Sequence, residues 1–346
     1  MGKRVTQKSI AMECGVSTAT VSYALRNSAR IPLKTRNRIA AVAKKLGYQP
    51  DPSLASLASR RSSKKGSPFS ASVAVIHPNP KDSRPSRLFD LHCHHFKAKM
   101  NELGCSVTDF YIDSGRYRPE RLAQILRTRG IKGILLGWGK WPDYIKRFPW
   151  SEFAVISTVR TDLGSSIDKV SMNHFHALDD VFQQLDNLPY NRYGVILHDD
   201  CPEITIKHIL GAYYANHYER PSLKSLPPYC FNMGEPPERL AQWYQKHKPE
   251  VIISHRVIDP KIFARAGISV PDEVQLVVLE IDEESSIQYS GVYSGAEMGR
   301  TIAVSLARKI RSDEVYVGSR NGKLTFVSGT WREGETLRLP KKNSNE

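Results

Sequence analysis

"GVSTATVSYALRN", residues 15–27, decides how this chain is read. Val16, Val21 and Leu25 share one face of a helix. Yet Thr18, Thr20, Val21, Ser22 and Tyr23 are mediocre helix formers, each up to about 0.7 kcal/mol worse than Ala. A helix selected for stability alone would use Leu, Glu, Lys and Ala. Hydroxyls and a phenol turned away from the core imply an outer face with a task. Working back, Thr6 is placed to N-cap a helix that starts at Gln7 and turns Ile10 and Ala11 inward. Gly15 sits where the chain must turn with positive φ. Ser17 N-caps the next helix, which holds Val21, Ala24 and Leu25 inside. Two short helices packed through a small residue and a glycine turn are the helix-turn-helix pattern.

That pattern supplies the task. A second helix lying in a DNA major groove presents hydroxyls to phosphates and base edges, and methyl groups to thymine. A third helix is predicted from Pro32 or Leu33 to Leu46, with Ile39, Val42, Ala43 and Leu46 as its apolar stripe and Gly47 as its stop. Lys34, Thr35, Arg36 and Arg38 near its start suit phosphate contact. The charge distribution agrees. Of a formal +15 over 346 residues, the first 65 hold 14 Lys and Arg against two acids, a net +12. The remainder is almost neutral, which is a basic head for a polyanion on a neutral body. After Pro50 and Pro52, residues 53–59 read as a helix too short to stand alone, followed by a Ser-, Lys- and Gly-rich linker over 63–70. Leu54 and Leu57 are apolar residues in a basic segment, and one of them is suited to wedge between base steps in a minor groove.

Residues 5–61, "VTQKSIAMECGVSTATVSYALRNSARIPLKTRNRIAAVAKKLGYQPDPSLASLASRR", resemble the head of the LacI/GalR family of transcription regulators. The "GVSTATVS" core, the Thr-Arg opening of the third helix, the "LGYQP" exit and the "LASLASRR" hinge fall in register without a gap. The resemblance implies a homodimer with two heads on double-stranded DNA at a pseudo-palindromic operator, and hinge helices entering the minor groove at its centre. It implies base reading by Thr18 and Ala19, with Tyr23 one turn on, and a wedge at Leu57. Thr6, Ser17, Thr20, Ser22, Asn27 and Thr35 then contact the DNA backbone or support the helix. Tyr23 stands where many members carry Arg or His, so neither guanine readout there nor a relative's operator carries over to this chain.

From Ala71 the pattern changes to short apolar runs alternating with helical stretches. Strands are predicted at 72–77, 106–112, 131–138, 153–158, 192–197, 250–255, 274–280 and 323–331. Helices are predicted at 86–103, 119–130, 174–188 and 295–310, with amphipathic stretches around 203–217 and 237–247. Alternating strands and helices imply parallel α/β sheets, in which ligands bind at the carboxyl ends of the strands. The body too resembles the LacI/GalR family, best in "ERLAQILRTRGIKGILL" and "VSGTWREGETLRLP", and the resemblance implies as fold class a small all-α helix-turn-helix head (1–62) on a two-lobed, periplasmic-binding-protein-like α/β domain (71–340) that binds an effector and dimerises. The same resemblance, weaker here, places a first lobe at about 71–170 with 288–322, and a second at about 171–287 with 323–340.

By their positions at strand ends, His77, Trp138, Arg160, His208, Arg256 and Asp282 are the candidate contacts for a small-molecule effector, such as a sugar or sugar derivative. The usual sugar-contact motifs of the family are replaced. "SHRV" stands where many members have Asn-Asp, His208 where many have Arg, and "LEID" where many have Gly-aromatic-Asp-Asp. A weakly specific architectural DNA binder with a ligand-free body is therefore the alternative reading.

No GxxxxGK[ST], GxGxxG or GxSxG motif occurs, so neither an enzyme nor a cofactor is expected. "HCHH" at 92–95 offers only His92 and His95 on one helical face, short of the four ligands zinc takes, so no metal is expected. The absence of an 18-residue apolar run excludes a membrane-spanning helix. Five cysteines without CxxC spacing, behind no apolar leader, suggest reduced thiols in the cytoplasm. The end, "LPKKNSNE", lacks heptads, which favours a dimer over a coiled-coil tetramer.

Overall fold

The computed structural model describes residues 6–25, 31–46, 48, 71–80, 86–112, 118–160, 163, 166–282, 287–316, 318 and 321–338. Asn27, Gly47, the 53–59 hinge with Leu54 and Leu57, the 63–70 linker and the stretch from 339 onward lie outside them. Three helices form the head: α1 (Gln7–Cys14), α2 (Thr18–Leu25) and α3 (Leu33–Lys45). Each contributes two buried side chains to one core: Ile10 and Ala11, Val21 and Ala24, Ile39 and Ala43. Helices this short hold only because they bury these residues together.

The body begins with β1 (Ala71–His77), α4 (Arg87–Glu102), β2 (Cys105–Tyr111), α5 (Pro119–Thr128), β3 (Ile131–Leu136), β4 (Ala154–Thr158), β5 (Asp168–Met172) and α6 (His174–Leu185). Then come β6 (Arg192–His198), α7 (Glu203–Glu219), β7 (Lys224–Ser225), β8 (Tyr229–Phe231), α8 (Pro237–His247), β9 (Val251–Arg256) and α9 (Pro260–Arg265). It closes with β10 (Gln275–Glu280), β11 (Ser290–Tyr293), α10 (Gly295–Arg311), β12 (Leu324–Val327) and β13 (Thr330–Arg332). The first sheet runs β12-β5-β4-β3-β1-β2 and is parallel throughout. The second runs β13-β11-β10-β9-β6-β7, with β8 also on β6, and only β13 is antiparallel.

Both sheets are covered on both faces, so their central strands are near-continuous apolar runs rather than alternating ones. β10, "QLVVLE", is buried at every residue. The first sheet packs against α4 and α10 on one side, and against α5 and the Trp141–Trp150 turn on the other. The second packs against α6 and α7 on one side, and against α8 and α9 on the other.

Two sequence expectations change. Residues 323–331 are not one strand: β12 belongs to the first sheet and β13 to the second, with Ser328 and Gly329 between them. The lobe limits move as well. All of β5 and β12 lie in the first sheet, whereas β11 lies in the second. The chain thus passes between sheets at Asn173, Ser294 and Ser328–Gly329. An apolar run has the same periodicity in either sheet, so the pattern marks a strand without marking its partner. The first and third crossings run side by side, since the Asn173 N–H donates to the Val327 carbonyl at 2.8 Å.

α10 lies on α4 at backbone contact. A Cβ at Gly299 would sit 2.6 Å from the His92 carbonyl oxygen and 2.7 Å from the Phe96 nitrogen. Backbone cannot yield as a flexible side chain does, so Gly299→Ala forces the two helices apart. The expected loss is about 1–3 kcal/mol, read as a lower denaturant midpoint for the body. An unchanged midpoint would show that the helices are not held at this spacing.

Candidate nucleic-acid interface and inter-lobe cleft

In the head, the expected caps are present. Thr6 Oγ1 accepts from the Ser9 N–H at 3.3 Å, and Ser9 Oγ accepts from the Thr6 N–H at 3.4 Å, a reciprocal capping box. Gly15 ends α1 in the left-handed region, at φ 61° and ψ 36°, which suits glycine best. Ser17 Oγ accepts from the Thr20 N–H at 3.0 Å, and the two hydroxyls bond to each other at 2.8 Å. These bonds fix the first turn of α2 and leave Thr18 and Ala19 exposed on it. Thr20, Ser22, Tyr23 and Thr35 are half-buried. The Thr20 hydroxyl is engaged in the cap. Arg38 donates to the Cys14 carbonyl at 3.3 Å, fastening α3 to the end of α1, while Lys34 stands exposed.

In the body, the carboxyl ends of both sheets carry the polar residues. Trp138 and Arg160 lie two residues beyond β3 and β4, and Asp200 lies two beyond β6. Arg160 Nη1 stands 3.6 Å from Asp200 Oδ2, and its guanidinium covers the Trp138 ring at 4.8 Å. Arg256, at the end of β9, also binds Asp200. Residues of the two lobes therefore meet at one carboxylate, and three of the six expected effector residues gather there. Asp282 is half-buried just past β10. His77 lies elsewhere: it bonds Asp109 at 3.0 Å and stacks on Tyr111, inside the first lobe. His208 sits apart too, edge-on to Phe326.

Four buried histidines and a glutamate at this place are not among the expected effector contacts, although His92 falls in "HCHH", His255 in "SHRV" and Glu280 in "LEID". His92 on α4 packs edge-on to Trp138, and His174 opens α6. His198, His255 and Glu280 lie at the ends of β6, β9 and β10. His174 Nε2 and Glu280 Oε1 are 3.0 Å apart. For His198, His255 and Glu280 the available signal is a polar residue at the end of an apolar strand; His92 and His174 lie on helices and carry no such signal.

Burial governs their titration. It pushes His92 and His198 down to about 4 from 6.5, and His255 well below 6.5. Burial of Glu280 opposes its charge, but the His174 hydrogen bond and the charges of His174, His255 and Arg160 outweigh it and hold the carboxyl well below its usual range. A histidine lowered in the folded state binds its proton first in the unfolded one, so it withdraws stability as pH falls from 6.5 toward 4. Carboxylates begin to contribute only near their ordinary range of about 4. The melting temperature should therefore drop between pH 6.5 and 4.5, and His92→Gln should flatten that slope. An equal slope in the variant would mean that His92 is protonated in the folded protein.

Residues 6–51 match the family model described as "Bacterial regulatory proteins, lacI family". The HTH-type transcriptional repressor CytR of Escherichia coli is 47% identical over 47 residues, which is 14% of either chain. The match thus spans about one seventh of that curated relative. Among solved structures, the transcriptional regulator CelR–cellobiose complex is similar with a TM-score of 0.57 at 15% identity, covering 96% of this chain and 100% of that one. The Lac repressor bound to ONPG is similar with a TM-score of 0.55 at 14% identity, covering 97% and 100%. The head thus matches the lacI family of bacterial regulatory proteins over residues 6–51, and the body has the two-lobed α/β fold of the solved transcriptional regulators it resembles.

Proposed function

We propose that this chain is a sequence-specific DNA-binding transcriptional regulator, a repressor that works in the cytoplasm as a homodimer on a pseudo-palindromic operator. A small molecule, a sugar or sugar derivative, modulates operator binding from between the two lobes. The exposed first turn of α2, fixed by the Ser17 cap and the Gly15 turn inside a lacI-family head, carries this reading. Thr18 and Ala19 face base edges, with Tyr23 one turn on. Thr6, Ser17 and Thr20 hold the helix, while Ser22, Asn27 and Thr35 serve the DNA backbone. Leu57 enters the minor groove, and the basic head adds salt-sensitive affinity. The similar proteins point the same way: CytR is a repressor, CelR was solved with cellobiose, and the Lac repressor was solved as a dimer bound to operator.

In the cleft, Trp138, Arg160, Arg256 and Asp282 take the effector. A ligand that binds the closed lobes better than the open ones shifts the equilibrium between the two arrangements. The hinges then change spacing, which couples ligand to operator. The reading assigns the chain no catalytic turnover.

Selection of bound duplexes from a random pool at about 150 mM salt, where exposed charges are screened beyond about 8 Å, tests the reading directly. A palindromic motif is expected. Recovery of no motif, with tight binding only at low salt, overturns it in favour of the architectural alternative. Within a recovered motif, Thr18→Ala should relax preference at one position of each half-site by about 1–3 kcal/mol. A uniform loss on every sequence would instead make Thr18 a phosphate contact.

A further inference from the structure

The hydrogen bond between His174 and Glu280 leaves the other half of the carboxylate unexplained. Glu280 is 9% exposed, and its Oε2 is buried without a hydrogen-bond partner. The imidazole nitrogen His255 Nε2 stands 3.8 Å from it, too far for a hydrogen bond. His174 and His255 are themselves 2% and 1% exposed. One donor atom from each of His174, His255 and Glu280 falls within 4.8 Å of the others. A buried carboxylate oxygen and an imidazole nitrogen held short of each other leave a place for a third species between them.

We propose that His174, His255 and Glu280 form a transition-metal site of the zinc class at the floor of the inter-lobe cleft. Bonds of about 2.0–2.2 Å from a tetrahedral ion to nitrogen and oxygen place ligand atoms roughly 3.4 Å apart. The separations of 3.0 Å and 3.8 Å to the two carboxylate oxygens bracket that edge. Two imidazoles and one carboxylate are donors that suit zinc, and imidazole also suits copper, iron and nickel. Three protein ligands leave an open position, as in zinc sites that bind water or substrate. That position gives an oxygen of a cleft ligand a place to bind. The nearby guanidiniums of Arg160 and Arg256 both engage Asp200, which offsets their repulsion of a cation. The three ligands come from the start of α6 and the ends of β9 and β10, and 81 residues separate His174 from His255. No local spacing announces them, unlike the "HCHH" run of α4, whose His94 is exposed.

The test uses the full-length chain and the metals alone, without effector or DNA. After equilibration with zinc and dialysis, one zinc per chain is expected by atomic emission. Cobalt substitution should give the intense visible bands of a four-coordinate ion. Glu280→Gln and His255→Gln should each weaken zinc binding by more than about 100-fold, beyond the loss that outer-shell changes cause. His94→Gln should leave it unchanged. Zinc lost with His94→Gln but kept in Glu280→Gln would mean adventitious surface binding and overturn the inference. If the cleft variants fail to fold, the wild-type cobalt spectrum decides, and the absence of four-coordinate bands overturns it.

Discussion

A parallel strand can be followed by another in the same sheet only after a crossover, so all strand ends of one kind lie along one edge. Both sheets here obey that constraint, apart from β13. Each therefore brings its carboxyl ends to one side, and the three chain crossings keep those sides together. The polar residues at the ends of β4, β6, β9 and β10 meet for this reason alone. Arg160 reaches Asp200 across the lobes, and Glu280 lies among four buried histidines, without any of them being close in sequence.

The head obeys a different constraint. Its helices are short, and among the described residues only six side chains are fully buried in its core, so capping carries unusual weight. The Thr6–Ser9 box, the left-handed Gly15 and the Ser17–Thr20 pair each satisfy groups that a longer helix could leave to solvent. The same bonds explain why a helix rich in Thr and Ser is tolerated. Some hydroxyls hold the helix, and Thr18 is left free of that duty on the exposed turn. Capping and recognition are thus divided among neighbouring residues of similar chemistry.

Much of this was legible beforehand, because the signals are local. Thr6, Gly15 and Ser17 act within a few residues of themselves, and the apolar runs at β1, β9 and β10 declare buried parallel strands by composition. Trp138, Arg160 and Arg256 were reached by their position at strand ends. His77 was reached by the same rule but serves an Asp109–Lys97 network within the first lobe. A rule that finds strand ends cannot say which way a side chain leaves them.

Local spacing and composition are enough to read the head: its three helices, its turn, its caps and its concentration of positive charge each arise from contacts only a few residues apart or from simple composition. They are also enough to read that the body alternates strands and helices. Long-range strand pairing is what parts residues 324–327 and 330–332 into different sheets and joins β11 to the second. The tertiary structure alone brings His174, His255 and Glu280 together. Strand partnership and cleft chemistry depend on segments brought together across tens of residues to more than a hundred, where hydrophobic periodicity carries no address.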